Sequence, residues 1–329
     1  MLNRRILRIK AFKVLFSSFM TNDKSLSDAL GELELSCVAA RDLYLYMLSI
    51  VSPLTKIARE RMETAKNRIN PTEEEKNPNT KFIDNQLTRF LEDHIDFNKI
   101  IQKKKFNWEP YDLYLRKTLT TIMEKEYFKN YMEAESFSLK EDCKLFIKIF
   151  ESEFVNSLEL EQILEEQSLY WNDDLAYSLT QVCESLKEIG KSNSWTLPLL
   201  YQSDIKKAKA KIKGELIDVD DDKTFVIKLF SAAYLNYNKY LEIVGGMVTN
   251  WDNNRLIGTD LSLIILGLSE AVTFPEIPVK VSINEYIDIS RYYGGANSKT
   301  FVNGLLDKLI KKFIEDDLII KTGKGLIES

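Results

Sequence analysis

The distribution of glycine constrains the fold of this chain more than any other feature. Of its 12 glycines only Gly31 and Gly190 precede Gly214, so long Leu/Glu/Lys-rich segments with few turn residues make up most of the chain. Such segments favour helices, and no series of alternating β-branched strands interrupts them. Pro/Asn/Ser-rich stretches near residues 70–79, 107–110 and 192–198 predict loops between helical blocks. The sequence therefore predicts an all-α fold.

The sequence contains few of the residues that usually carry out catalysis or bind a metal. His94 is the only histidine and lies in a polar helical stretch, which predicts a surface position. The three cysteines are far apart and never form a CxxC pair. We therefore expect neither an enzyme nor a metal site, and no bound cofactor.

The cysteine pattern and the apolar stretches predict a cytoplasmic protein. An odd number of widely spaced cysteines is typical of a reducing compartment. The apolar stretch at residues 261–268 is far shorter than a bilayer requires, which predicts no membrane span. Residues 1–20 are basic and apolar but lack the pattern of a secretory signal.

The net charge of −5 is distributed unevenly. Basic residues crowd the amino terminus, whereas acidic residues gather in the middle. Local positive charge can support phosphate contacts whatever the net charge. This basic set consists of Arg4, Arg5, Arg8, Lys10 and Lys13.

A pattern of residues occurs twice at one offset. Lys148, Phe150, Asn156 and Trp171 match Lys228, Phe230, Asn236 and Trp251. Two explanations stay open, a helix-helix-Trp unit used twice and a coincidence of helical periodicity. After the second copy, residues 261–268 are apolar on every side, which predicts a helix at the centre of a helical domain.

The residues from Pro275 onward predict a capped helix pair. Ser282 and Glu285 have capping-box spacing, and Gly294 suits a left-handed helix end. Asn297 or Ser298 is expected to cap the last helix. Gly304 within that helix suggests a close helix crossing.

These segments resemble the NusB family of transcription antitermination factors. The resemblance rests on a Pro-x-x-Pro-x-Lys-Val entry at residues 275–281, an Ile-Asn-Glu helix at 283–285 and Phe-Val-Asn-Gly-x-Leu-Asp-Lys at 301–308. Residues 251–268 are similar to the family's approach to its central helix, and residues 4–16 to its Arg-rich first helix. The resemblance implies a NusB-like helical bundle at residues 1–34 and 213–316. Residues 35–212 are then a large additional helical segment, which we interpret as a degenerate repeat and which is similar to long Bacteroides-type members. Residues 317–329 form a tail, in which residues 322–325 are expected to be frayed.

The resemblance also implies an RNA surface. Free N–H groups at a helix start favour phosphate, and an adjacent aromatic ring can stack on a base. The residues expected to contact RNA are Arg4, Arg5, Arg8, Lys10, Asn297, Ser298, Lys299 and Phe301. Alternatively, Phe301 packs against a neighbouring helix, and the basic start of the chain serves only solubility.

Two residues are assigned to a protein partner by the resemblance. Phe16 stands where the family has Tyr, so a hydroxyl contact is unavailable there. Asp260 occupies an acidic position that faces the partner in the family, although it could equally cap its helix.

The function implied is transcription regulation by antitermination. Such a factor binds single-stranded boxA-type RNA with the small-subunit ribosomal protein NusE and acts in the RNA polymerase antitermination complex that transcribes ribosomal RNA. The alternative is a helical protein-protein interaction module that has lost RNA binding. The NusB-like half of an RNA-modifying enzyme is disfavoured, because no glycine-rich cofactor loop is present.

Overall fold

The structure, a computed structural model, describes residues 1–21, 24–201, 222–247 and 258–326. Within these ranges no strand occurs, and the one β-type pairing is an isolated bridge between Leu2 and Tyr201. The all-α prediction is confirmed. The chain forms two compact units, unit 1 with Met1–Cys37 and Leu199–Ser329, and unit 2 with Val38–Pro198. The predicted boundaries at 34/35 and 212/213 stay predictions, and the second lies outside the described residues.

Helices make up most of the described chain. In chain order they are α1 (Arg4–Thr21), α2 (Leu26–Leu48), α3 (Val51–Lys66), α4 (Glu73–Lys76), α5 (Gln86–Glu92), α6 (Ile95–Lys104), α7 (Asp112–Glu124), α8 (Glu126–Glu133), α9 (Leu139–Ile149), α10 (Leu158–Gln167), α11 (Leu175–Ser192), α12 (Asp222–Leu235), α13 (Tyr237–Met247), α14 (Gly258–Thr273), α15 (Val279–Tyr293) and α16 (Ser298–Glu315). Single 3-10 turns occur at Glu109–Tyr111, Leu169–Trp171 and Gly323–Leu326, and a π turn at Phe150–Phe154.

Polar side chains cap the amino termini of several helices in unit 2. They accept hydrogen bonds from backbone N–H groups that have no partner within the helix. Ser138 begins α9 and Ser157 begins α10 in this way. His94 does the same for α6, because its Nδ1 accepts the N–H of Phe97 at 3.2 Å while its Nε2 donates to the carbonyl of Trp195 at 3.2 Å. The predicted surface histidine is thus a half-buried helix cap, and both bonds fit the neutral ring.

The core of unit 1 is α14. Every residue of this helix from Asp260 to Ala271 is buried, as its all-round apolar pattern predicts. The helices α1, α12, α13, α15 and α16 pack against it. Gly267 lets two of them approach closely, since a Cβ there would lie 2.8 Å from Leu306 and 3.1 Å from Tyr286.

The predicted close crossing at Gly304 is wrong. A Cβ at this position would meet no atom within 4 Å, so Gly304 lies in open space. The sequence pattern shows that α16 contains a glycine, but which face of α16 packs against another helix depends on the tertiary structure. The close approach in unit 1 occurs on the central helix, at Gly267.

The chain is packed rather than frayed as far as Gly325. The ammonium of Lys321 donates to the carbonyl oxygens of Ala271 and Phe274. The backbone N–H of Thr322 donates to the carbonyl oxygen of Pro275. Gly325 is buried, and a Cβ there would lie 2.0 Å from the carbonyl oxygen of Pro275. The turn between α14 and α15 therefore holds the tail in place.

In unit 2 the helices α9 and α11 pack closely, and a Cβ at Gly190 would lie 3.2 Å from Cβ of Cys143. A second cluster consists of aromatic rings around Tyr46, which stacks on Trp108 at 4.2 Å and on Trp171 at 5.4 Å. The three cysteines are all buried and form no disulfide, and no group of residues in the described ranges could hold a metal ion.

The order of helices supports the repeat. The offset from Lys148 to Lys228 is 80 residues. Shifted by 80, the bounds of α10 become 238–247, against Tyr237–Met247 for α13, and those of α11 become 255–272, against Gly258–Thr273 for α14. The pair α9 and α11 packs together, as α12 and α14 do. Trp251 lies outside the described residues, so the complete repeat stays a prediction.

One stretch, Leu26–Lys66, is long and apolar enough to cross a membrane by length and composition. The sequence prediction overlooked it because Gly31 and scattered polar residues interrupt its apolar run. In the structure 67% of its most apolar window is buried, as in a core helix of a folded domain.

Two glycine substitutions test the packing around α14. Gly304→Ala should leave the free energy of unfolding unchanged or raise it by up to about 1 kcal/mol, because alanine favours a helix. Gly267→Ala should lower it by about 1–3 kcal/mol, because the fully buried Leu306 and Tyr286 must move. Urea denaturation measures both, and equal effects would contradict the close crossing at Gly267.

Candidate nucleic-acid interface

The helices α1 and α15 lie side by side in the same direction. Arg5 forms a two-pronged ion pair with Glu285, with both N–O distances at 2.9 Å, and contacts Asp288 at 3.2 Å. Further along, the ring of Phe12 lies 5.5 Å from that of Tyr293, and the Lys13 ammonium 5.4 Å from the same ring. Lys13 therefore lies beside the end of α15, where the loop at residues 294–297 begins.

Arg8 does not belong to this surface, which corrects its assignment as an RNA contact. Its guanidinium is buried and donates from Nε and Nη2 to the two carboxylate oxygens of Glu270, both at 2.7 Å. Burial lowers the pKa of Arg8, but the hydrogen bonds and charge of Glu270 raise it above its usual value. Arginine is suited to a two-pronged bond with either phosphate or carboxylate, and here a buried carboxylate occupies it.

The Glu270 carboxylate also accepts two hydrogen bonds from side chains of α15. The hydroxyl of Ser282 donates to Oε1 at 2.8 Å, and that of Tyr286 to Oε2 at 3.0 Å. The predicted capping box of Ser282 and Glu285 is therefore wrong, because α15 already begins at Val279, Ser282 donates to Glu270 and Glu285 pairs with Arg5. One carboxylate thus joins α1, α14 and α15.

Lys10 and Arg4 are also less available than the sequence suggests. Lys10 is only 1% exposed, so it cannot present its charge to RNA in this arrangement. Arg4 lies 3.5 Å from Asp222, with its guanidinium 4.7 Å from the centre of the Phe225 ring. Within the predicted basic set, Arg4 and Arg5 retain partial exposure, and both have acidic partners.

The loop after α15 depends on close approach at Gly294. The predicted left-handed conformation is wrong, since its φ of −97° and ψ of 173° are extended. A Cβ at this glycine would lie 2.3 Å from Cβ of Ser298 and 2.6 Å from the carbonyl oxygen of Ser290. Glycine is required here because the start of α16 folds directly against the end of α15.

Ser298 and Asp260 contact each other beneath the surface. The Ser298 hydroxyl donates to Oδ2 of Asp260 at 2.9 Å, and both residues are buried. Burial raises the pKa of Asp260, although the hydrogen bond from Ser298 lowers it, and the Oδ1 atom has no hydrogen-bond partner in the described chain. This corrects both assignments: Ser298 faces inward rather than toward RNA, and Asp260 joins the first turns of α14 and α16 rather than facing a partner directly.

The assignment of Phe301 as an RNA contact also needs correction. Its side chain is 7% exposed, so its ring has no open face on which a base could stack. The exposed aromatic at this end of the unit is Tyr292, at 85%. Sequence reasoning missed Tyr292, although two tyrosines directly before Gly294 and Gly295 are a signal that could have indicated it.

Asn297 and Lys299 are exposed at the start of α16, as predicted. Asn297 precedes the helix, but the expected side-chain cap is absent at this helix start. With Arg291 and Tyr292, these two residues form what we call the loop cluster, at the junction of α15 and α16. Its charges are positive, and the nearest acidic partner is Asp288, 3.2 Å from Arg291.

Phe16 lies at the start of α14. Its ring would be 3.1 Å from a Cβ at Gly258, and the sulfur of Met20 would be 3.2 Å from the same point. Phe16 is half-buried and Met20 exposed, so an apolar corner remains open two residues before Asp260. The two residues assigned to a partner are thus brought to one end of α14.

The buried ion pair predicts a large stability effect. Arg8→Met should lower the free energy of unfolding by about 3–5 kcal/mol, because it leaves the Glu270 carboxylate buried without its counter-charge. Arg5→Met, at the exposed pair, should lower it by about 0–1 kcal/mol. Chemical denaturation at pH 7 measures the two, and a similar loss for both would contradict a dominant buried pair.

Two carboxylates predict opposite pH dependences. Because burial raises the pKa of Asp260 above 3.8 in the folded state, its protonated form is favoured, and wild type should lose stability relative to Asp260→Asn as pH rises from about 4 toward 7. The hydrogen bond from Arg5 lowers the pKa of Glu285 below 4.5, so wild type should gain stability relative to Glu285→Gln as pH rises through that range. Urea midpoints measured across pH 3–7 compare the pairs, and slopes of the same sign would contradict the assignment.

Comparison with known proteins locates a family in this chain. The NusB family model matches residues 194–311. A transcription antitermination protein NusB of Salinibacter ruber is 32% identical over 114 residues, which are 34% of this chain and 71% of that protein. The NusB of Clostridium botulinum (strain Kyoto / Type A2) is 33% identical over 133 residues, 40% of this chain and 85% of that protein. That of Syntrophus aciditrophicus is 28% identical over 146 residues, 41% and 89% of the two chains.

No solved structure matches the chain. The curated relatives are covered over most of their own length, and the match includes the helices that build the loop cluster. The expectation drawn from the Pro275–Lys308 motifs is confirmed: this chain belongs to the NusB family of transcription antitermination proteins.

Proposed function

We propose that this chain is a transcription antitermination factor that binds single-stranded, boxA-type RNA through the loop cluster. The observation that carries the proposal is the exposed Tyr292 beside the uncapped amino terminus of the 18-residue helix α16. Free N–H groups at a helix start favour a phosphate, and an exposed ring can stack on an unpaired base.

The charges of the cluster support the same ligand. Arg291 and Lys299 are exposed around the loop, and Asn297 offers an amide that can bond to a base edge. Lys13 lies beside Tyr293 and extends the positive charge onto α1. Arg8, Lys10, Ser298 and Phe301 support this surface from beneath rather than contacting RNA.

The protein partner in this proposal is the small-subunit ribosomal protein NusE, within the RNA polymerase antitermination complex. The apolar corner of Phe16 and Met20 at the start of α14 is the contact surface that we propose, with Asp260 holding that helix end in place. The proposed site of action is the cytoplasm, and no covalent step is involved.

One observation favours a second candidate, a protein-interaction module without RNA binding. Of the four residues of α1 that were expected to contact RNA, Arg8 and Lys10 are buried, and the other two are paired with acids. This leaves the loop cluster as the main source of positive charge at the predicted site.

Titration of the full chain with a boxA-type single-stranded RNA at several salt concentrations tests the proposal. Arg291→Glu with Lys299→Glu should reduce the slope of log Kd against log salt by about 1.4, at roughly 0.7 for each lost phosphate contact. Tyr292→Ala should weaken binding by roughly 1–3 kcal/mol through the lost stacking. Adding the purified ribosomal protein should tighten RNA binding by wild type.

Lys280→Glu is the matched control. It changes an exposed lysine at the other end of α15, about 18 Å along the helix from Tyr292 and beyond the roughly 10 Å range of screened charges. Its affinity should stay within a factor of about two of wild type. If wild type binds the ribosomal protein but no RNA at any salt concentration, the RNA proposal fails and the interaction module replaces it.

A further inference from the structure

Unit 2 contains a groove that lies outside the family match at residues 194–311. It has a volume of about 720 Å³ and lies where α5, the start of α9 and the end of α11 meet. We call it the Phe137 groove. The lining residues that matter here are Gln86, Phe90, Phe137, Lys140, Lys191 and Asn193.

The charge of the groove is positive. Lys140 and Lys191 are exposed, and no residue that lines the groove is acidic. Elsewhere on the same two helices lysines form ion pairs, Lys144 with Glu141 and Lys187 with Glu184. In the described part of the chain neither Lys140 nor Lys191 has such a partner, so both charges remain available to an anion.

An aromatic ring lies next to these lysines. Phe137 is 48% exposed, whereas most phenylalanines of unit 2, such as Phe146 and Phe154, are buried in its core. Phe90 also lines the groove and is half-buried, with its ring centre 6.5 Å from that of His94. Lysines beside an exposed ring are the combination by which proteins hold single-stranded nucleic acid, with phosphates on the cations and bases on the ring.

Two amides add hydrogen-bonding capacity. Two hydrogen bonds hold Gln86 in place. Its side-chain Oε1 accepts from the backbone N–H of Leu139 at 3.1 Å, and its backbone N–H donates to the Asp142 carboxylate at 2.7 Å. Its Nε2 group forms no hydrogen bond with the described residues. Asn193 ends α11 in the left-handed conformation, with an exposed side chain. Such amides can bond to the edges of an unpaired base.

We propose that the Phe137 groove, whose lining residues lie outside the family match, is a second contact site for single-stranded RNA. It rests on the proposed function, because it extends the length of RNA that one chain engages. A base stacks on Phe137 while the flanking phosphates lie at Lys140 and Lys191. A double helix does not fit this mode, since its bases are already stacked and paired.

The test uses the full chain, a short boxA-type RNA and a longer single-stranded RNA that contains it. Lys140→Glu with Lys191→Glu should weaken binding of the longer RNA about tenfold and reduce its salt slope by about 1.4, with little effect on the short RNA. Phe137→Ala should also weaken the longer RNA selectively. Photo-crosslinking of the longer RNA, followed by peptide mass spectrometry, should identify Phe137.

Lys103→Glu with Lys129→Glu is the matched control, because it reverses two exposed lysines of unit 2 outside the groove. If wild type binds neither RNA, the proposed function and the groove are both overturned. If the loop-cluster variants weaken binding but the groove variants match the control and no crosslink forms at Phe137, the groove alone is overturned. It is also overturned if the groove variants lose a protein partner while RNA binding is unchanged.

Discussion

The buried pair of Arg8 and Glu270 is the interaction on which the architecture of unit 1 depends. Its carboxylate lies on the central helix α14, its guanidinium comes from α1, and the hydroxyls of Ser282 and Tyr286 on α15 complete it. A buried charge is tolerated only when it is paired and hydrogen-bonded, so removing one member leaves the others unsatisfied. This network fixes the mutual placement of three helices, of which α1 is distant in sequence from the other two.

That placement carries the candidate interface. With α1 held against α15, Phe12 and Lys13 lie beside Tyr293, and the contact of Ser298 with Asp260 joins α16 to the start of α14. The exposed residues of the loop cluster thus stand on two helix ends that are held from beneath. Groups presented by rigid elements lose less conformational freedom on binding than groups on a mobile loop.

Helical periodicity predicted much of the fold and part of the site. The all-α class, the central helix and the helix pair after Pro275 follow from local patterns, and Asn297 and Lys299 are exposed as expected. The errors share one cause. Arg8, Lys10 and Phe301 have residue types suited to RNA, but whether each faces a neighbour or solvent depends on helices distant in sequence. The sequence predicted the close crossing at Gly304, and the packing of α16 against α14 shows that it occurs at Gly267 instead.

The sequence by itself determined the secondary structure and the family, because helix propensity, scarce glycine and short motifs are local properties of the chain. Only the tertiary structure decided which charged side chains are buried and paired inside the protein. An arginine forms the same two-pronged bond with a carboxylate as with a phosphate, and the presence of Glu270 on the facing helix settles the choice for Arg8. By the same reasoning, the outward position of Tyr292 and the unpaired lysines of the Phe137 groove emerge only once neighbouring helices are in place.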